Sequence, residues 1–209
     1  MNRRTRLFLM IGLSAAAVAI GASAMAFAEP EVKKAKLGKM APEFTLLDTS
    51  GQERSLSDYK GKTVVLEWFN LGCPFVQRCY KSKAMQDAYM KSKQWDKGIA
   101  WLAVNSTYMT TAEQNDAWIK KYRPKYPILL DTDGKVARLY DARRTPHMFV
   151  IDKEGILRYH GAIDDNRLAG KPADEVTNFV VNAVHQLAEE ETVTPDYVKP
   201  YGCSIKYKP

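Results

Sequence analysis

The residues most able to do chemistry are Cys73, Cys79 and Cys203, the only cysteines in the chain. Cys73 lies in LEWFNLGCPFVQRCY, between an apolar, β-branched run and a segment with helical spacing. Pro74 suits the first position of a helix and disfavours helical geometry in the residue before it. Cys73 is therefore expected at the N-cap, with its sulfur near the unpaired N–H groups of the first turn. The positive end of the helix dipole favours a thiolate there, and the thiolate is the nucleophile of disulfide exchange. Cys79, six residues on, would stand about 9 to 10 Å from Cys73 along a helix and on another face. A disulfide needs Cα atoms within about 7 Å. Cys79 also joins Phe75, Val76 and Tyr80 in an apolar stripe, so packing is its expected role. Cys203 lies in PYGCSIKYKP, beyond the last helical pattern. The intervening tail can stretch roughly 40 Å, enough to bring Cys203 to Cys73. Closing that loop would contribute about 5 kcal/mol in the chain-entropy model. Gly202 before it and Ile205 and Tyr207 after it suggest a tail that docks.

The elements that must position these sulfurs follow from periodicity. Residues 63–69 (TVVLEWF) read as a strand covered on both faces, and residues 74 to about 93 contain no Gly or internal Pro to interrupt a helix. A second buried strand follows at 99–104. Thr111 and Gln114 form a capping box for a helix reaching about Tyr122. Residues 128–130 are a third strand and 135–140 a short helix. Strands at 147–151 and 156–160 are joined by the turn Lys153-Glu154-Gly155. Pro172 stands near the start of a last helix, whose stripe is Val176, Phe179, Val180, Ala183, Val184, Leu187 and Ala188. A small hairpin precedes all of this. The order β-α-β-α-β, then β-β-α, implies an α/β domain with a central sheet flanked by helices.

The ends of the chain have other characters. Arg3, Arg4 and Arg6 head an apolar stretch of sixteen residues that ends near Ala26-Phe27-Ala28, the layout of a secretory signal peptide over 1–28. An uncleaved anchor is the alternative, but a span needs roughly 20 apolar residues. Either way the domain faces an extracytoplasmic space, with the periplasm or secretion as the expected destination and no stable membrane association after cleavage. Residues 29–36 read as a flexible leader, 37–190 as one domain, and 191–209 as an irregular tail carrying Cys203. The net charge of +7 falls to +4 without the three signal arginines. The remaining basic residues are interspersed with acids, which argues against nucleic-acid binding. An odd cysteine count in an oxidising compartment mildly favours redox use over a structural staple.

Three segments together resemble the thioredoxin superfamily: APEFTLLDTSGQERSLSDYKGKTVVLEWF, the strand–GCPF–helix junction, and Thr145-Pro146-His147-Met148-Phe149-Val150-Ile151-Asp152. They are similar to its redoxin branch, the alkyl hydroperoxide reductase/thiol-specific antioxidant group, over about residues 37 to 190. The resemblance implies a thioredoxin-like fold with a mixed sheet, an N-terminal hairpin and an irregular C-terminal tail. Cys73 takes the place of the first cysteine of the family's CxxC, and Val76 stands where the second would be. Pro146 takes the place of the cis-proline beside the active sulfur. Glu67 falls where thioredoxins bury a proton-relaying acid; an acid paired with a lysine or hydroxyl is the other reading.

The implied activity is thiol-disulfide exchange, with Cys73 as nucleophile and Cys203, delivered by a mobile tail, as resolving cysteine. Its partners would be protein disulfides or thiols and an external thiol donor; no cofactor motif is present and the chemistry needs none. A peroxiredoxin-like peroxidase is the alternative. That family would place threonine three residues before the cysteine and proline seven before, where this chain has Asn70 and Leu66. Its arginine position holds Pro146, with Arg143 and Arg144 close by. Non-catalytic readings are a copper site using Cys73, Cys79 and His147 or His160, or a scaffold stapled by Cys73–Cys203. His147 is expected as a surface strand residue, and Trp68, Trp101 and Trp118 as core.

Overall fold

The computed structural model describes residues 34–208; the signal-peptide segment and the first residues of the leader lie outside the described residues. In chain order the elements are β1 (Thr45–Asp48), β2 (Glu53–Ser55), β3 (Val64–Phe69), α1 (Pro74–Lys81), α2 (Ala84–Trp95), β4 (Ala100–Asn105), α3 (Ala112–Tyr122), β5 (Ile128–Leu130), α4 (Lys135–Leu139), β6 (Arg144–Thr145), β7 (His147–Ile151), β8 (Leu157–Gly161), α5 (Phe179–Ala188), β9 (Tyr197–Val198) and β10 (Cys203–Ser204). Eight strands form a mixed sheet in the order β2-β1-β5-β4-β3-β7-β8-β9, while β10 pairs with β6 alone. The centre, β3 beside β4 and β7, is parallel on one side and antiparallel on the other. The thioredoxin-like α/β architecture and leading hairpin are as expected from sequence.

All six residues of β3 are buried, and side chains alternate across a strand. Val65 and Phe69 face a cluster that includes Val76 of α1, Met85 of α2, Trp118 of α3 and Val180 of α5. Val64, Leu66 and Trp68 face a second cluster containing Val136 of α4 and Ile205 of the tail. Trp68, Trp101 and Trp118 are all buried, as expected.

Two local expectations need correction. The helical run after Cys73 is two helices, broken at Lys83, which adopts φ 63°. A straight continuation of the Val76–Tyr80 stripe would turn Lys83 and Asp87 inward. The break re-phases the chain so that Met85 and Ala88 are buried instead. Pro172 opens only a single 3-10 turn, and the last helix begins at Phe179 behind Asn178. Residues 176–178 stay extended because Asp164 bridges Asn178 and the Phe179 N–H donates to the Ile163 carbonyl, 2.9 Å. The tail docks, as Ile205 and Tyr207 suggested: β9 pairs with β8, β10 with β6, and Tyr201 and Ile205 are buried. The leader is tied down at its end too, the Ala35 N–H donating to the Leu139 carbonyl at 3.0 Å.

Candidate active site

The junction between β3 and α1 is built by the residues that spell it. The Asn70 side chain accepts the Gly72 N–H at 2.7 Å, and the Cys73 N–H donates back to the Asn70 carbonyl at 3.0 Å. Cys73 is the extended N-cap residue (φ −80°, ψ 119°), Pro74 the first helical residue, and the Cys73 carbonyl accepts the first helical bond from Gln77. The sulfur is thereby held at the head of α1, yet only 1% of Cys73 is exposed.

What covers it is the tail. Strand β10 runs antiparallel to β6 with Cys203 opposite Thr145 and Ser204 opposite Arg144. Thr145 leads into Pro146 through a cis peptide bond. Gly202 makes the close approach possible: its φ is +110°, and a Cβ there would lie 2.1 Å from the Thr145 carbonyl oxygen. All three cysteines are free thiols.

As a thiol, Cys73 donates to the Thr145 carbonyl at 3.0 Å. Burial raises its pKa, but hydrogen bonds available to the thiolate from Thr145, the Val76 N–H and Cys203 outweigh burial and hold it below the ordinary thiol value. Cys203 moves the other way, to about 11, through burial and through the neighbouring Cys73 sulfur. Of the two neighbouring sulfurs, Cys73 is thus the one that more readily carries negative charge. Cys79 is buried in the helix-side core, its thiol raised to about 11 by burial first and by Asp164 second.

Glu67 is fully buried on the face of β3 that looks toward α1 and α2. Its carboxylate accepts from Tyr80 Oη at 2.9 Å, Trp101 Nε1 at 3.0 Å and Tyr126 Oη at 3.2 Å. Burial raises its pKa to about 7 and these three bonds offset part of the rise. It is paired with hydroxyls and an indole, not with lysine. Sequence reasoning had no signal for Tyr126, which comes from the loop before β5.

His147 is not a surface residue: it is 2% exposed, and burial drives its pKa down to about 3. Its Nδ1 accepts the Arg143 N–H at 3.2 Å, and its Nε2 lies 3.3 Å from His160 Nδ1. Its ring packs between those of Phe149 and His160, which the local sequence does not announce. Among the described residues no three His, Cys, Asp or Glu side chains gather to hold a metal. Arg143 pairs with Asp141, and Arg144 donates to Ser204 Oγ at 2.6 Å. Both guanidiniums near the site are thus engaged at the surface.

The chain resembles known proteins in sequence and in fold. The model of the AhpC/TSA family matches residues 37–160. The chain belongs to this family. The thiol-disulfide oxidoreductase ResA of Bacillus cereus is 30% identical over 156 residues, 74% of this chain and 86% of that protein. In structure, an uncharacterized conserved protein from Geobacillus kaustophilus superposes with a TM-score of 0.72 at 29% identity, covering 83% of this chain and 93% of the other. A putative thiol:disulfide interchange protein DsbE from Chlorobium tepidum gives a TM-score of 0.52 at 25% identity, covering 61% and 85%.

Proposed function

We propose that this protein is a thiol-disulfide oxidoreductase with Cys73 as nucleophile and Cys203 as resolving cysteine. The observation that carries the reading is the register of β10 on β6, with Cys203 opposite Thr145, whose carbonyl Cys73 touches. In the reducing direction the Cys73 thiolate attacks one sulfur of a substrate disulfide. A Cys73–substrate bond forms, the substrate S–S bond breaks, and the departing sulfur takes a proton. Once Cys73 is no longer an anion, the charge that helps keep Cys203 protonated is gone. When the tail returns to β6, Cys203 loses its proton and attacks Cys73, releasing the second substrate thiol, which takes up a proton, and leaving Cys73–Cys203 oxidised. Reversed, the same steps oxidise a dithiol. After substrate reduction two external thiols reopen Cys73–Cys203 and leave as a disulfide; after substrate oxidation an external disulfide re-forms the pair and leaves as two thiols.

Pro146 and Glu67 support this cycle. The Pro146 ring flanks the Gly202 backbone beside the reacting pair. Glu67, with a pKa near neutrality, is a group able to take up and give back a proton as the sulfurs change charge. The N-terminal signal pattern supports extracytoplasmic action by a domain of residues 37–190 completed by the tail, and protein thiols or disulfides are its partners. Peroxide reduction is the weaker reading, since Asn70, Leu66 and Pro146 occupy its diagnostic positions and Arg143 and Arg144 are otherwise engaged.

The test is single-turnover reduction of a disulfide-bonded reporter protein by the reduced chain. Cys73→Ser should abolish it. Cys203→Ser should stop it at a reporter–Cys73 mixed disulfide visible on a non-reducing gel. Normal turnover by Cys73→Ser would refute the assignment.

A further inference from the structure

With the tail docked, no partner can reach Cys73, which is 1% exposed. Exchange with an outside disulfide therefore requires residues 201–204 to leave β6. The place they vacate has a definite shape. We propose that these residues occupy the enzyme's own substrate groove, whose preferred occupant is an extended cysteine-bearing polypeptide with tyrosine two residues before the reacting cysteine. This rests on exchange at Cys73 as proposed above.

Four contacts of the tail define the groove. Among the described residues β6 pairs only with β10, so departure of the tail leaves the Arg144–Thr145 backbone as an open edge. Such an edge takes an extended chain by main-chain bonding, with side-chain hollows setting selectivity. The register puts the third tail residue, a cysteine, opposite Thr145 and at the reacting sulfur. The residue before it meets the Thr145 carbonyl so closely that only glycine fits. Two before, Tyr201 fills a hollow made by α1 and the loop after β8. Its ring lies 5.9 Å from that of Phe75 and 5.7 Å from the Arg78 guanidinium. Its hydroxyl donates to Asp164 Oδ1 at 2.6 Å and accepts from Arg78 Nη2 at 3.4 Å.

The hollow is selective because of Asp164. This carboxylate is 5% exposed and receives the Tyr201 hydroxyl. An occupant without a hydroxyl leaves this buried oxygen with the Asn166 N–H, 3.0 Å away, in place of two donors, which is costly for a carboxylate. Tyrosine thus surpasses phenylalanine, which still stacks on Phe75 and Arg78, and both surpass alanine. Nothing in the local sequence marks Tyr201, whose partners Phe75, Arg78 and Asp164 come from elsewhere in the fold.

The test uses full-length Cys203→Ser and symmetrical disulfides of short peptides Xaa-Gly-Cys-Ser, with Tyr, Phe, Ala or Lys at the first position. Cys73 attacks one peptide sulfur, the peptide S–S bond breaks, one peptide stays on Cys73, and the other leaves as a thiolate that is protonated by solvent. The retained tail competes equally with every peptide. Mass spectrometry follows the adduct. The tyrosine peptide should react about tenfold faster than the alanine one, a ratio equal to about 1.4 kcal/mol of differential contact. Asp164→Asn should shrink the Tyr-to-Phe rate ratio, and Arg78→Ala the aromatic-to-alanine ratio, each ratio taken within one variant because both changes also loosen the hold on Tyr201 of the retained tail. Equal rates for all four peptides with the unaltered hollow would overturn the groove while leaving exchange at Cys73 intact. No adduct with any peptide would overturn both.

Discussion

Replacing Glu67 by glutamine should remove a fall in stability that the unaltered protein shows as pH rises toward 8. Burial lifts the Glu67 pKa from 4.5 to about 7, against the opposing bonds from Trp101, Tyr80 and Tyr126. In the unfolded chain the same carboxyl ionises near its ordinary value. Between those two pH values the folded state holds a proton that the unfolded state has lost, so unfolding becomes easier as pH rises. The stabilising contribution is whole below the unfolded pKa and lost as pH rises through the folded one. At about 1.36 kcal/mol per pKa unit the total loss is about 3 kcal/mol, of which about 2.5 kcal/mol falls between about pH 5 and pH 8. Glutamine fits the same bonds without a charge. Its oxygen can accept from Trp101 and Tyr126 and its amide can donate to Tyr80, whose proton then turns to Tyr126, 3.1 Å away. Urea unfolding of the reduced proteins across this range measures the effect as a difference between variant and parent, which cancels titrations common to both. That difference should move in favour of glutamine by about 2.5 kcal/mol from about pH 5 to pH 8. A difference that stays constant would refute the reasoning, because Glu67 would then titrate alike in the folded and unfolded chains.

Three further outcomes are expected. Cys79→Ser should leave exchange activity intact while costing about 1 to 3 kcal/mol in urea unfolding, since it puts a hydroxyl into the helix-side core; loss of activity would mean that Cys79 takes part. Gly202→Ala should undock the tail, because the added Cβ meets the Thr145 carbonyl. Alkylation of Cys73 in the reduced protein should then accelerate at least tenfold, roughly the ratio for 1.4 kcal/mol of lost docking, and an unchanged rate would contradict the covering role of the tail. Because burial holds the His147 pKa down to about 3, its contribution to stability is whole above its unfolded pKa and lost as pH falls from there toward about 3. His147→Gln should therefore flatten the acid limb of the urea profile, and an acid limb as steep as the parent's would count against this.

The sequence was informative where one residue type dictates local geometry. Cys73 before Pro74 marked the helix N-cap, the run of residues 63–69 marked the central strand, and Thr111 with Gln114 marked a helix start that the structure closes as a capping box. Contacts made across the fold were not legible. Lys83 carries no breaker signature, and its left-handed turn follows from the need to bury Met85 and Ala88. His147 reads locally as an exposed strand residue, and only the packed sheet, with His160 of β8 beside it, buries it. Tyr126 and Tyr201 belong to loops, and only tertiary packing brings them to Glu67 and Asp164. Cys203 was legible as a reactive candidate from its place in a tail with docking residues, while its register opposite Thr145 depends on a strand pairing of two residues.

The proposed cycle requires Cys73 and Cys203 to form one reversible redox pair. Its most direct test is non-reducing peptide mapping of the protein by mass spectrometry after mild oxidation, repeated after treatment with a mild thiol. A Cys73–Cys203 linked peptide that forms and then opens, with Cys79 free throughout, is the result the account requires. A link between Cys79 and Cys203, or a Cys73 that never joins Cys203, would contradict it.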